Sequence, residues 1–318
     1  MHQILENIKF VSDNSKHVRI NRERIGKFCK NFDNNEIQHW LNACPLDMSR
    51  ESDDEKLNFL LVFNAISFCY WSEPKWAVEY KGKKYDGSWA MIASLERALD
   101  DGKDILSPEF LANISENELA EILRGNIEIP LLKERCKILN EIGTALNKKF
   151  NGKFSNLVKG ANKDGIKLLD LIVSNFPSFN DFSRYNGKNI YFYKRAQLLV
   201  SDIYQLFKGK GYGKLKNMNK ITACADYKLP WVLRRFRLMS YSTELANQID
   251  NKIQIKKGSE EEIEIRANTI MACELIKEEL RKQNTRIDSI HVNDYLWIMG
   301  QKRTHEDEPY HRTLTTFY

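Results

Sequence analysis

Apolar side chains recur at steps of three and four residues along most of this chain, the period with which an α-helix buries one face. Ile25, Phe28, Cys29 and Phe32 form one such stripe. Leu57, Leu60 and Leu61 begin a second, and Trp89, Ile92, Leu95 and Leu99 a third. Ser115-x-x-Glu118 is a capping box, in which the two side chains satisfy N–H groups that a first turn leaves unpaired; it predicts a helix over about 115–124. Pro130 opens a long helix carrying Leu131, Leu132, Arg135, Ile138, Leu139, Ile142 and Leu146. Further helices are predicted near 163–176, 190–207, 228–238, 260–282 and 287–299.

Strand signal is sparse. Trp76 to Tyr80, turned at Gly82 into Lys84 and Tyr85, reads as one small hairpin, and the tail from Arg312 to Tyr318 has strand propensity. Alternating βαβ units are absent, which excludes a parallel-sheet architecture. With no linker, repeat or low-complexity tract, residues 1–318 are read as a single mainly α domain with a small β-hairpin, the first fifty residues being a candidate N-terminal arm.

Charge narrows the function classes. The net charge of +6 is spread over 49 basic and 43 acidic residues, unlike the concentrated basic face of a DNA-binding protein. Six cysteines occur without a CxxC pair, and six histidines without HExxH or HxH, so no metal site built by the protein is expected. The N-terminus lacks a signal-peptide pattern, and the apolar run from Leu57 to Trp71 is too short to span a bilayer; a cytoplasmic chain is expected. No GxSxG is present. The loop from Phe207 to Lys216 lacks the Gly-Lys-Ser/Thr ending of a phosphate-binding loop, so it reads as a solvated turn.

Four stretches are candidates for a site. An apolar run ending at Ala225 leads into Asp226, Tyr227 and Lys228 before a helix; a carboxylate there caps a helix or does chemistry, and the local sequence favours capping. Glu262, Glu264 and Arg266 alternate with isoleucines near a helix start, a solvated face or an inward polar edge able to read a base. Phe68, Trp71 and Ser72 at one helix end and Trp89 at the next helix start, with Tyr227, are placed to sandwich a flat heterocycle. Lys194 and Arg195 sit amid an apolar helix start, where they either snorkel to the surface or bind a phosphate, with His311 and Arg312 of the tail folding back to assist.

The order and wording of these stretches carry a resemblance. Phe68-Cys69-Tyr70-Trp71-Ser72-Glu73, Gly87-Ser88-Trp89-Ala90, Phe192-Tyr193-Lys194-Arg195-Ala196-Gln197-Leu198, Ala225-Asp226-Tyr227-Lys228-Leu229-Pro230, Glu262-Ile263-Glu264-Ile265-Arg266 and Pro309-Tyr310-His311-Arg312-Thr313 resemble the queuosine salvage family, from about Lys9 to Tyr318. Cys224 and Trp231 depart from the family, where an aromatic and Gln are common. The resemblance implies hydrolysis of queuosine 5′-monophosphate to queuine and ribose 5-phosphate without metal or organic cofactor. It also implies a helical fold distantly similar to helix-hairpin-helix DNA glycosylases, and Asp226 as the catalytic carboxylate, against the local preference for capping. Phe68, Trp71, Ser72, Trp89, Lys194, Tyr227, Glu264 and His311 are then expected to bind substrate, Glu264 or a backbone group meeting the departing base. The expected partner is a small nucleotide met by a monomer, with neither a stable nucleic-acid complex nor a membrane. The rival classes are a non-catalytic RNA or nucleotide binder and a DNA-repair base glycosylase.

Overall fold

Serine hydroxyls open many of the helices. Ser52 and Ser115 each form a reciprocal capping box, with Glu55 and Glu118, and Ser107, Ser242 and Ser259 accept N–H groups of the first turns they precede. The computed structural model describes residues 2–33, 37–47, 50, 52–283, 285–302 and 307–318. Helices dominate: α1 His2–Asn14, α2 Arg22–Lys30, α3 Asp53–Ala65, α4 Gly87–Asp100, α5 Pro108–Asn113, α6 Glu116–Ile122 and α7 Leu132–Phe150 come first. The later ones are α8 Phe154–Gly160, α9 Gly165–Asn175, α10 Lys194–Leu206, α11 Lys228–Arg235, α12 Thr243–Asp250, α13 Glu260–Lys282 and α14 Ser289–Met299.

The strands form three antiparallel pairs among the described residues. The hairpin of β2 (Ala77–Tyr80) and β3 (Lys83–Asp86), turned at Gly82, is where its alternation predicts it. Two pairs escape the sequence. One is the hairpin of β4 (Phe182–Tyr185) and β5 (Lys188–Tyr191), which lies between the helices predicted near 163–176 and 190–207 and takes up the start of the second. The other joins β1 (Val18–Ile20) to β6 (Met239–Tyr241) across most of the chain, on too few residues for alternation to show.

Two of the expectations are corrected. The N-terminal residues are no arm: Ile4, Ile8 and Val11 of α1 are buried, and α1 packs along α13. The tail forms no strand over 312–318; instead Arg312 O accepts the Ile255 N–H at 2.7 Å and Tyr318 O accepts the Cys69 N–H at 2.9 Å. Thr313 and Thr315 lie buried, so their β-branched side chains serve packing.

The apolar interior falls into two clusters. The larger joins α1, α3, α4 and α7 to α10; the smaller joins α2, α11, α12 and α14 to one side of α13. The 23-residue α13 serves both, and it is buried on most faces even though it carries Glu262, Glu264, Arg266, Asn268, Glu274 and Lys277. Buried polar groups of that number persist only where each finds a partner.

Candidate active site

The turn after α3 bends sharply, and its cause lies on α7. Arg135 is fully buried and donates to the carbonyls of Pro130, Ile66, Phe68 and Cys69. It thereby holds Cys69 in a left-handed conformation, φ 43°, that a non-glycine residue adopts only when its surroundings impose it. Arg195 of α10, also buried, donates to Ala65 O and Ser178 O. The two guanidiniums flank the Phe68 ring, at 4.2 and 5.2 Å from its centre. Neither meets a carboxylate among the described residues, and burial pushes both down to about 10.

Residues 221–226 belong to no strand, so their buried backbone groups need other partners. Gln197 of α10 accepts the Thr222 N–H at 2.8 Å, Asn293 of α14 accepts the Cys224 N–H at 2.9 Å, and Arg266 of α13 donates to Ala225 O at 3.4 Å. The segment delivers Asp226 to the start of α11. There Oδ1 accepts the Lys228 and Leu229 N–H groups at 2.8 and 3.0 Å, while Oδ2 makes no hydrogen bond among the described residues. One oxygen of the carboxylate therefore caps the helix, and the other is left without a hydrogen bond among the described residues.

Asp226 lines a cavity of about 300 Å³ whose walls draw on both apolar clusters. Phe63, Phe68 and Tyr70 enter it from α3 and its turn, and Trp89 from α4. Gly87, at φ 56°, makes the bend from β3 into α4 that a Cβ would strain. Trp40, Trp89 and Trp297 pack on one another with ring centres 5.2–5.6 Å apart. The Trp40 indole donates to buried Asp202 at 2.8 Å, and that carboxylate also accepts Asn64 Nδ2 at 2.9 Å and lies 3.1 Å from His39 Nε2. From the tail come Tyr310, tilted against Tyr227 at 4.8 Å, and Tyr318.

Lys194 reaches the same cavity from the first residue of α10. Only 6% of it is exposed, yet its ammonium makes no hydrogen bond or ion pair with a described residue. A buried cation without an anion is expensive unless a ligand completes it. Cys224 also lines the cavity, but burial pushes its thiol up, which leaves it unsuited to act as a nucleophile.

Over residues 47–318 the chain matches the family described as queuosine salvage protein. The chain belongs to that family. It is 42% identical over 261 residues to a protein of Sphaerobacter thermophilus, covering 82% of this chain and 81% of the relative. To a Bos taurus protein it is 35% identical over 336 aligned positions, covering 98% of each chain, and to one of Schizosaccharomyces pombe 27% over 333, covering 95% and 92%. All three are named queuosine 5′-phosphate N-glycosylase/hydrolase.

Of the six family motifs, five send side chains into the cavity; the stretch Glu262–Arg266 does not. Phe68, Trp89, Lys194, Asp226 and Tyr227 line it together, whereas Trp71, Ser72, Glu264 and His311 lie outside the lining. Trp71 donates its indole N–H to Thr313 O at 3.1 Å, and Ser72 Oγ accepts the Trp76 N–H at 3.0 Å. Glu264 is consumed by the N–H groups of Lys16 (3.0 Å) and His17 (2.7 Å) and by the Tyr185 hydroxyl (3.0 Å). His311 Nε2 lies 3.3 Å from the Tyr318 hydroxyl, and burial pushes its imidazole down to about 3, so it brings no positive charge to a phosphate. His17, Glu260 and Glu264 hold ligand-capable atoms within 4.8 Å of one another, but outside the cavity, with Glu264 engaged as above and Glu260 paired with Lys16. Sequence reasoning missed Trp40, Asn293, Trp297 and Tyr318, for which no local signal exists, and passed over Tyr310 although the tail motif contains it.

Proposed function

We propose that this chain hydrolyses the N-glycosidic bond of queuosine 5′-monophosphate, releasing queuine and ribose 5-phosphate. The observation that carries the reading is the pairing, in one aromatic-walled cavity, of a carboxylate with one unengaged oxygen and a buried lysine without a counter-ion, both among the described residues. The named activity of the relatives supports the choice of substrate.

As base and ribose separate, positive charge builds on the sugar ring. Asp226 Oδ2, held by the capping of Oδ1, stabilises that charge and orients the attacking water. Water adds its oxygen to the anomeric carbon, the C–N bond electrons leave with the base, and the proton that the water gives up balances the one that completes the base nitrogen. Water is the only co-reactant, and no metal or organic cofactor is invoked. Phe68, Trp89 and Tyr227 stack against the deazapurine. Lys194 takes the 5′-phosphate, aided by the positive field of Arg135 and Arg195, neither of which forms an ion pair among the described residues.

We also retain the distant likeness to helix-hairpin-helix DNA glycosylases, supported by a mainly helical chain with a catalytic carboxylate at a helix start. A cytoplasmic monomer acting on a free nucleotide fits the same reading; no described helix is long and apolar enough to cross a membrane. The test is incubation of the purified chain with queuosine 5′-phosphate. Equimolar queuine and ribose 5-phosphate are expected, with no base released from duplex DNA. Tight binding without products would establish the rival reading of a nucleotide-binding protein.

A further inference from the structure

Glu262–Arg266, the family motif that sends no side chain into the cavity, lies behind the two groups assigned to the chemistry. We infer that the buried ion pair of Arg266 with Asp181 is a positioning pair, setting where Asp226 and Lys194 stand relative to each other. This rests on the roles proposed above for those two residues.

The geometry runs through one guanidinium and the nearer of its two carboxylates, Glu262 lying farther off at 3.6 Å from Nη1. Arg266 donates Nη1 and Nη2 to the two Asp181 oxygens at 2.9 and 2.5 Å, and its Nε to Ala225 O at 3.4 Å, the carbonyl directly before Asp226. Asp181 Oδ2 accepts the main-chain N–H of Lys194 at 3.2 Å. The Asp181 carbonyl accepts the N–H groups of Phe192 and Tyr193 at 3.0 and 3.2 Å, fixing Tyr193 at φ 48°, the left-handed turn from which α10 departs. The ion pair therefore grips the backbone of both functional segments, which no sheet connects. The guanidinium also lies 3.9 Å from the ring centre of Phe192 and 4.6 Å from that of Tyr318, a cavity wall.

Stability alone does not account for such a pair. Apolar residues of similar volume often replace a buried ion pair without loss, whereas a catalytic geometry tolerates little movement. Only an arginine offers a two-armed fork to the carboxylate and a third donor to a carbonyl, so lysine is no substitute here.

The test is a double-mutant cycle on the full chain with queuosine 5′-phosphate. Arg266→Lys and Asp181→Asn are each expected to lower kcat about 100-fold, the scale of a 1 Å misplacement, with KM little changed. In the Asp226→Asn background the same substitutions should cost far less than their full loss, because one of the two groups they position is already disabled. A merely structural role would reduce the folded, active fraction equally in both backgrounds, and such additive losses would overturn the inference. If the single variants fold poorly, the apolar pair Arg266→Met with Asp181→Leu, combined with Glu262→Gln so that no buried carboxylate loses its cation, keeps it falsifiable. That variant should be folded with kcat lowered to a similar degree, and a folded form with near-native kcat overturns the inference. Wild-type protein is assayed first: no product there refutes the functional reading itself, whereas wild-type turnover with an additive cycle refutes the positioning pair alone.

Discussion

The turn at Asp226 and the first turns of α13 around Glu264 both place a carboxylate near the start of a helix, and they reach opposite states. Glu264 is fully buried, and both its oxygens are occupied by two backbone N–H groups and a phenol. Asp226 is half-buried and lines the cavity, with one oxygen given to the helix and the other making no hydrogen bond among the described residues. A carboxylate with every acceptor site filled has no capacity left for a substrate, so the first stabilises the fold and the second is available for chemistry. What separates them is how many donors surround them, and that depends on which distant segments arrive.

Substitution at both sites is the sharpest way to break this comparison. Asp226→Asn preserves the capping oxygen and removes the charge, so kcat should fall by about 10²–10³ with the thermal midpoint nearly unchanged. Glu264→Gln should do the reverse: it sets an amide against N–H donors, costing about 1–3 kcal/mol in urea denaturation while the folded enzyme keeps its turnover. A Glu264→Gln variant that is stable but inactive would erase the distinction.

Lys194→Ala comes next in size. Charge-assisted hydrogen bonds contribute about 1.5–3 kcal/mol, so kcat/KM for queuosine 5′-phosphate should fall roughly 10- to 150-fold. Unphosphorylated queuosine should be turned over as before; equal losses on both substrates would make Lys194 structural.

The aromatics divide in the same way as the carboxylates. Phe68→Ala and Trp89→Ala should weaken queuine binding by about 1–3 kcal/mol in calorimetry, the range for stacking of a base. Trp71→Ala should leave that affinity intact and loosen the tail at Thr313 instead. Unchanged affinity in folded Phe68 and Trp89 variants would return both rings to plain packing.

A third carboxylate extends the comparison to a smaller effect. Asp294 is as buried as Glu264, but the hydrogen bonds it accepts come from two neutral amides, of Gln205 and Asn293. Burial pushes it up to about 6 from an ordinary 3.8. The folded state therefore holds the proton more tightly than the unfolded chain. This contribution favours folding below about pH 4 and is lost as pH rises through 6, each tenfold difference in proton affinity being worth about 1.4 kcal/mol. Asp294→Asn should flatten the change in urea midpoint between pH 5 and 7.5; an unaltered profile would contradict the assignment.

Much of this is legible in the chain, and the exceptions have physical causes. The helices announce themselves through their stripes, and Arg135 stands out within the apolar stripe of α7. Its meaning depends on carbonyls of the α3 turn, which periodicity cannot place. Lys194 and Arg195 read equally well as surface cations, because their burial is set by α3, the loop at Ser178 and the cavity. The alternation of Glu262, Glu264 and Arg266 suggests a common edge. Inside a helix, however, residues two apart point about 200° from each other, while residues four apart share a face. Glu262 thus sits 3.6 Å from Arg266, and Glu264 turns towards the N-terminal residues. Trp71 and Trp89 are equivalent by sequence, and a tail carbonyl distant along the chain decides between them.

The central claim is that Asp226 Oδ2 stands at the anomeric carbon of a bound queuosine nucleotide. It is tested most directly by a crystal structure of the Asp226→Asn variant soaked with queuosine 5′-phosphate. The account predicts intact nucleotide in the cavity, its anomeric carbon about 3–3.5 Å from the substituted side chain or from a water held by it, the spacing of a reactive approach. Intact nucleotide bound with its sugar away from position 226, or bound outside this cavity, would contradict it.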